Sequence, residues 1–292
     1  MRWPLLLSSL LACSPPAMTV DAGSTPVDAG PPRVVDGGLV GPFAMGTITL
    51  SQRVREEVTR TLITATVTAT FLDVSAGTPN PCVERVEGAC VVRVCNVGSA
   101  ITGASVSAGL LTFDGLLPRD QPDSGLADAG LFDGGWALAP NDAGLVSESF
   151  TQRLFFGGSE LVVHAEGATV PPFTSPPLTT PAQLTVSTPR CVPACAPISR
   201  STPYRVSWSG VSNAEAEVRL STPQVTVTCR APAEQNALEV PASLLQELTP
   251  SVAAGEATLT MLARTSVSLD AGPWNVVFSA ETPTLLPVTV LP

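Results

Sequence analysis

Ile63-Thr64-Ala65-Thr66-Val67-Thr68-Ala69-Thr70-Phe71 is the stretch on which the fold turns. Its odd positions are apolar and its even positions are all threonine. Successive side chains of a strand point to opposite faces, so this alternation predicts a β-strand with one face buried and the other wet.

Further strands are expected around 90–97, 104–113, 149–156 and 161–165, with an acidic, glycine-rich loop from Asp114 to Gly144. An antiparallel sandwich packs such pieces, and an N-terminal β-sandwich domain is placed at 46–170. Residues 171–181 hold Pro171, Pro172, Pro176, Pro177 and Pro181 and read as a proline-rich, semi-rigid linker.

Residues 182–292 repeat the alternating pattern. Leu184/Val186, Tyr204/Val206/Trp208, Ala216/Val218/Leu220, Val225/Val227/Cys229, Leu259/Met261/Ala263, Trp274/Val276/Phe278 and Val288/Val290 form seven candidate strands. One short helix is expected at 241–248, with Leu244 and Leu248 on one side. A segment of this size and strand count resembles an immunoglobulin-like or fibronectin type III-like sandwich, and Trp208 resembles the buried tryptophan of those folds. The expected class is all-β, with two antiparallel β-sandwich domains behind a disordered N-terminal tether.

Composition agrees. The chain has 29 prolines and 23 glycines among 292 residues, too many for a helical protein, and its 44% hydrophobic content is ample for real cores. The formal charge is −10, every basic residue is arginine, and no basic cluster occurs, which argues against nucleic acid as a partner. Aromatic content of 5% disfavours a carbohydrate-binding face, which usually relies on exposed rings.

At the N-terminus, Met1-Arg2 precedes an apolar run to Ala12, too short to span a bilayer and suited to a signal peptide at 1–12. Leu10-Leu11-Ala12-Cys13 resembles the lipobox of bacterial lipoproteins. That resemblance implies cleavage before Cys13, acylation of Cys13 with palmitate-type chains, and a lipid bilayer as partner. Two or more chains anchor stably, at about 0.8 kcal/mol per buried CH₂. Ser14 after the cysteine implies, by the same resemblance, the outer membrane of a Gram-negative cell envelope. Residues 13–45 read as the lipid-anchored disordered tether. Their Asp21-Ala22-Gly23, Asp28-Ala29-Gly30 and Asp36-Gly37-Gly38 repeats resemble tethers of exported lipoproteins from predatory, GC-rich bacteria.

Setting Cys13 aside leaves Cys82, Cys90, Cys95, Cys191, Cys195 and Cys229, an even set that an exported protein is free to oxidise. Their spacing is not that of zinc sites, so no metal is expected. Each predicted domain holds an odd number, so full oxidation requires a bridge between domains. Cys90 and Cys95 on one strand point to opposite faces and do not pair directly. The favoured pairs are Cys82 with Cys90 or Cys95, and Cys229 with Cys191 or Cys195, the remaining two forming the bridge.

Candidate chemistry is sparse. His164, the sole histidine, shares a face with Glu160 and Glu166, while Leu161, Val163 and Ala165 alternate inward, so a solvated face is expected. The carboxylates between Asp114 and Asp142 recur at about five residues, which is turn chemistry rather than the alternate spacing of a calcium loop. Gly210-Val211-Ser212-Asn213-Ala214 lacks the final glycine of a nucleophile elbow. Glu56-Glu57 reads as a solvated pair. No catalytic residue and no cofactor is expected. The leading expectation is an exported envelope lipoprotein that binds a protein partner or has a structural role. The alternative is a cell-surface hydrolase, or an accessory subunit, acting on extracellular polymer.

Overall fold

The structure is a computed structural model that describes residues 39–40, 43–56, 59–74, 78–79, 82–95, 103–118, 136–191, 195–210, 213–251 and 256–291. The segment expected to be a signal peptide, Cys13 and nearly all of the expected tether lie outside the described residues. Among those described, fifteen strands have three or more residues. These are β1 (Phe43–Glu56), β2 (Thr61–Val74), β3 (Cys82–Glu87), β4 (Cys90–Cys95), β5 (Leu111–Asp114), β6 (Trp136–Leu138), β7 (Val146–Phe150) and β8 (Glu160–Ala165). They continue as β9 (Thr185–Thr188), β10 (Tyr204–Ser209), β11 (Glu215–Ser221), β12 (Val225–Pro232), β13 (Ala237–Val240), β14 (Ala257–Ala271) and β15 (Trp274–Val288). The fold is all-β, and the helical content among the described residues is a short α1 (Ala242–Leu245) and one 3₁₀ turn.

One ten-stranded sheet runs β7-β2-β1-β15-β14-β11-β12-β4-β3, with Ala104–Ser105 added beside β2. Its pairings are antiparallel except β1 with β15. The stretch that predicted the fold lies in β2, where Ala65, Val67, Ala69 and Phe71 are buried. β1 pairs with β2 along its whole length.

Two hydrophobic cores lie end to end on the inner face of this sheet. The first packs β1, β2, β7 and the turn end of the β14–β15 hairpin against a smaller sheet built on β5, β6 and β8. The second packs β4, β11, β12 and the open end of the same hairpin against the β9-β10-β13 sheet and α1. Val276, Phe278 and Ala280 thus belong to the first core, whereas Leu259, Met261 and Val288 belong to the second. Each fully buried Leu, Val or Phe contributes roughly 1.5–3 kcal/mol, so the hairpin fastens both cores.

This layout moves the expected boundary. The sheet is continuous across the two predicted domains, because β1 pairs with β15 and β4 pairs with β12. Residues 171–181 are not a linker. Phe173–Thr174 and Leu178–Thr179 both pair with β8, and Phe173 and Leu178 are buried. The prolines flank these short paired segments, where no ladder N–H is required of them. Ser175 completes the edge: its N–H donates to the Val163 carbonyl at 2.9 Å, and its Oγ accepts from the Val163 N–H at 3.0 Å. The chain then crosses to the second core, with Gln183 donating to the Val54 carbonyl at 2.9 Å.

Other expectations shift locally. The strand expected at 149–156 is β7, which ends at Phe150, and β6 interrupts the long acidic loop, of which 119–135 lie outside the described residues. Residues beyond β7 are held differently: buried Gln52 accepts the Leu154 N–H at 2.6 Å and donates to the Phe155 carbonyl at 3.2 Å. Gly46 leaves room for a neighbour, since a Cβ there would sit 2.5 Å from the Phe71 ring and force it to shift. The helix expected at 241–248 is confined to Ala242–Leu245, and Leu244 within it and Leu248 beyond it are both buried.

The disulfides are Cys82–Cys95, Cys90–Cys229 and Cys191–Cys195. Cys90 and Cys95 do not pair with each other, and a bridge joins the two predicted halves. The expected pairing of Cys229 with Cys191 or Cys195 does not occur. β4 docks beside β12, which sets Cys90 directly across from Cys229, while Cys191 and Cys195 oppose each other in a local bridge.

Candidate functional site

Where the inner face of the long sheet carries the cores, the outer face of its second half carries alternate polar side chains. Glu215, Glu217 and Arg219 project outward from β11, since Ala216, Val218 and Leu220 point in. By the pairing register, Thr226, Thr228 and Arg230 of β12, Val91 and Arg93 of β4, and Glu84 of β3 share that face. With Arg219, those residues of β12, β4 and β3 line an open groove of about 740 Å³.

Glu217 anchors its floor. Its carboxylate is fully buried, accepting from Arg219 Nη2 through Oε1 and from Arg230 Nε through Oε2 at 3.0 Å. Removing both arginines would strand a buried charge, at a cost of about 3–5 kcal/mol. Glu215 approaches the same Arg230 Nε at 3.5 Å. Across the groove, Arg93 Nε donates to Glu84 at 2.7 Å. Arg219 and Arg230 are 40% and 51% exposed, so their planar guanidinium forks present further N–H donors to the groove. Farther along the face, Arg264 lies 3.5 Å from Glu281. Burial raises the Glu281 carboxyl above its ordinary range; Arg264 opposes this, neighbouring Glu217 adds to it, and Arg219 opposes it again. The arrangement offers guanidinium donors, threonine hydroxyls and carboxylate acceptors on an open surface, which is the chemistry of polar recognition.

None of these residues was singled out from sequence. Their signal was the outward alternation of Glu217 and Arg219 opposite apolar partners, but the groove draws on β3, β4, β11 and β12, which lie far apart in the chain.

His164 lies elsewhere, on the outer face of the small sheet. Its ring nitrogens turn to Thr174 and Asp114 rather than to Glu160 or Glu166. Its Nδ1 is 2.9 Å from Thr174 Oγ1 and its Nε2 is 3.0 Å from Asp114 Oδ2. The reason is the register, which sets Thr174 directly beside His164 and brings the end of β5 within reach. Asp114 is the member of the acidic series that gains a partner there. Ser212 and Glu57 lie outside the described residues, and Ala214 leads into strand β11 rather than a helix. Trp208 is buried in the second core, its indole donating to the Ala233 carbonyl at 2.7 Å.

Fold and surface define a class: an all-β, disulfide-bonded protein with sandwich cores and a polar groove on an open sheet face. No family model matches the chain, and no curated protein matches it. Among solved structures it is similar to the FN1–FN3 domains of chicken CNTN1, at 9% identity over 78% of this chain and 75% of that one, with a TM-score of 0.19. At that score nothing about this chain rests on the likeness.

Proposed function

We propose that this protein is an exported lipoprotein of the bacterial outer membrane, anchored through acylated Cys13, whose β-sandwich body has a non-catalytic binding role. The observation that carries the binding reading is the groove over Glu217. It is broad, open and polar, and it presents paired guanidinium groups on a rigid sheet rather than a nucleophile in a deep cleft. The anchor rests on the lipobox-like Leu10-Leu11-Ala12-Cys13 and the tether composition.

Two measurements test the two parts. Metabolic labelling with an alkyne fatty acid is expected to mark the wild-type chain and to fail in Cys13→Ser, with unprocessed precursor accumulating under globomycin. Labelling that persists without Cys13 rejects the anchor. For the groove, a photo-crosslinking residue at Thr228 is expected to give a discrete protein adduct in living cells that Arg219→Ala weakens.

His164, held between Thr174 and Asp114, supports the second reading, a surface hydrolase or its accessory subunit. Polymer breakdown that disappears in His164→Ala, with no adduct at Thr228, would replace the binding reading with that one.

A further inference from the structure

We propose that the outer edge of β3 is a strand-addition site, which takes an extended segment of another protein antiparallel to Cys82–Glu87. This rests on the binding reading above and is independent of the lipid anchor.

Hydrogen-bond geometry identifies the ligand as polypeptide backbone. Among the described residues, β3 is the last strand of the ten-stranded sheet. The β3–β4 hairpin closes through Gly88 and Ala89, with Gly88 at φ +58°. Residues flanking a two-residue turn form a narrow, doubly bonded pair, and such pairs alternate along the ladder. The backbone groups of Val83, Arg85 and Glu87 therefore face β4, and those of Glu84 and Val86 face away from the sheet. The same alternation requires Cys95 to bond on the β12 side of β4, and its N–H does donate to the Gln224 carbonyl at 2.9 Å. Outward N–H and C=O groups at strand spacing are complemented by another strand.

Edges are usually guarded by projecting charges, but here each charge is drawn back onto its own molecule. Arg85 donates to the Ser243 carbonyl at 2.9 Å and lies 3.4 Å from Glu247. Glu87 accepts from the Ser243 hydroxyl at 2.7 Å, and Glu84 is bound to Arg93. What projects is aliphatic: Val83 and Val86 are 55% and 54% exposed. Three residues apart, they lie on opposite faces of the strand and flank the edge on both sides.

β4 shows what such an edge accepts. Opposite Val86, Glu84 and Val83 it presents Val91, Arg93 and Val94. A partner segment of the form apolar-x-Arg-apolar would repeat those contacts on the outer side. A second copy of this chain fits less well. A two-fold pairing centred on Glu84 or on Arg85 opposes like charges, and one centred on Val86 overlaps only about 84–88.

The test uses the mature full-length chain in detergent, with disulfides verified by mass, and a fluorescent peptide copying residues 90–95 with serine for both cysteines. Saturable binding by anisotropy is expected, about tenfold weaker in Val86→Pro, which deletes one outward N–H but no bond to β4. Val86→Lys, which guards the edge without altering the backbone, is expected to weaken binding as well. The proposal is overturned by absent binding, by equal binding to both variants, or by loss in Arg219→Ala alone, which would place the peptide in the groove. Sedimentation showing self-association that Val86→Lys abolishes would overturn it in favour of a dimer. Failure here leaves Cys13 acylation and the Thr228 adduct untouched.

Discussion

Eight aromatic side chains are buried in the first core, among them Phe71, Phe113, Trp274 and Phe278, whereas the fully buried aromatic residue of the second is Trp208. All three disulfides, in contrast, lie on or beside the second core. Aromatic residues bury the most area per residue and bring edge-to-face contacts, such as Trp136 against Phe150 at 4.8 Å. A core of alanine, valine and leucine buries less per ordered residue, and cross-links then limit the entropy of its unfolded state. Two cores on one sheet are thus held by different means, the first by ring packing and the second by covalent closure.

The largest effect should come from breaking that closure. The Cys90–Cys229 bond joins residues 139 apart, so Cys229→Ser in the oxidised protein is expected to lower stability by about 4 kcal/mol in chemical denaturation. The loss should be read first by Trp208. A loss under about 1 kcal/mol would mean that packing alone holds the second core.

A middle-sized effect belongs to the first core. Gln52→Leu keeps the apolar volume but leaves the Leu154 N–H and the Phe155 carbonyl without their partner, at about 2 kcal/mol by the same denaturation assay. Reductant should not change that increment, because no disulfide lies in this core among the described residues. If it does, the two cores do not hold independently.

The smallest effect concerns Tyr204, partly buried against the second core with its hydroxyl lacking a partner. Tyr204→Phe is expected to be neutral or stabilising by up to about 1 kcal/mol. Burial pushes the phenol from 10.0 up to about 12, so the unfolded chain ionises first. Stability from this group is complete below pH 10.0 and is lost as pH rises through about 12. Unfolding curves between those limits should fall for the wild type and flatten for Tyr204→Phe.

Much of the fold was legible where one face of a strand is buried and the other wet, as in β2 and in Val225/Val227/Cys229 of β12. β1 escaped notice because two of its inward positions are Gly46 and Gln52, one kept small by the Phe71 ring and the other serving backbone groups. β3 escaped because an edge strand with both faces exposed carries no alternation. The proline-rich stretch misled for a chemical reason: proline signals a linker, yet it suits a sheet edge equally well. The groove and the partners of His164 were illegible for a common cause. Both depend on which strands become neighbours, and cross-strand register is a property of the assembled sheet.

One sheet, fastened by the β14–β15 hairpin, unites both cores across residues 171–181. The most direct test is to produce residues 46–170 and 182–292 separately and to follow each by thermal unfolding. Without β15 the first core loses the strand beside β1, and without β4 the second loses the strand carrying Cys90. Neither half should then unfold cooperatively alone. A sharp, reversible transition in the isolated 182–292 segment would show instead an autonomous domain that needs neither β1 nor β4.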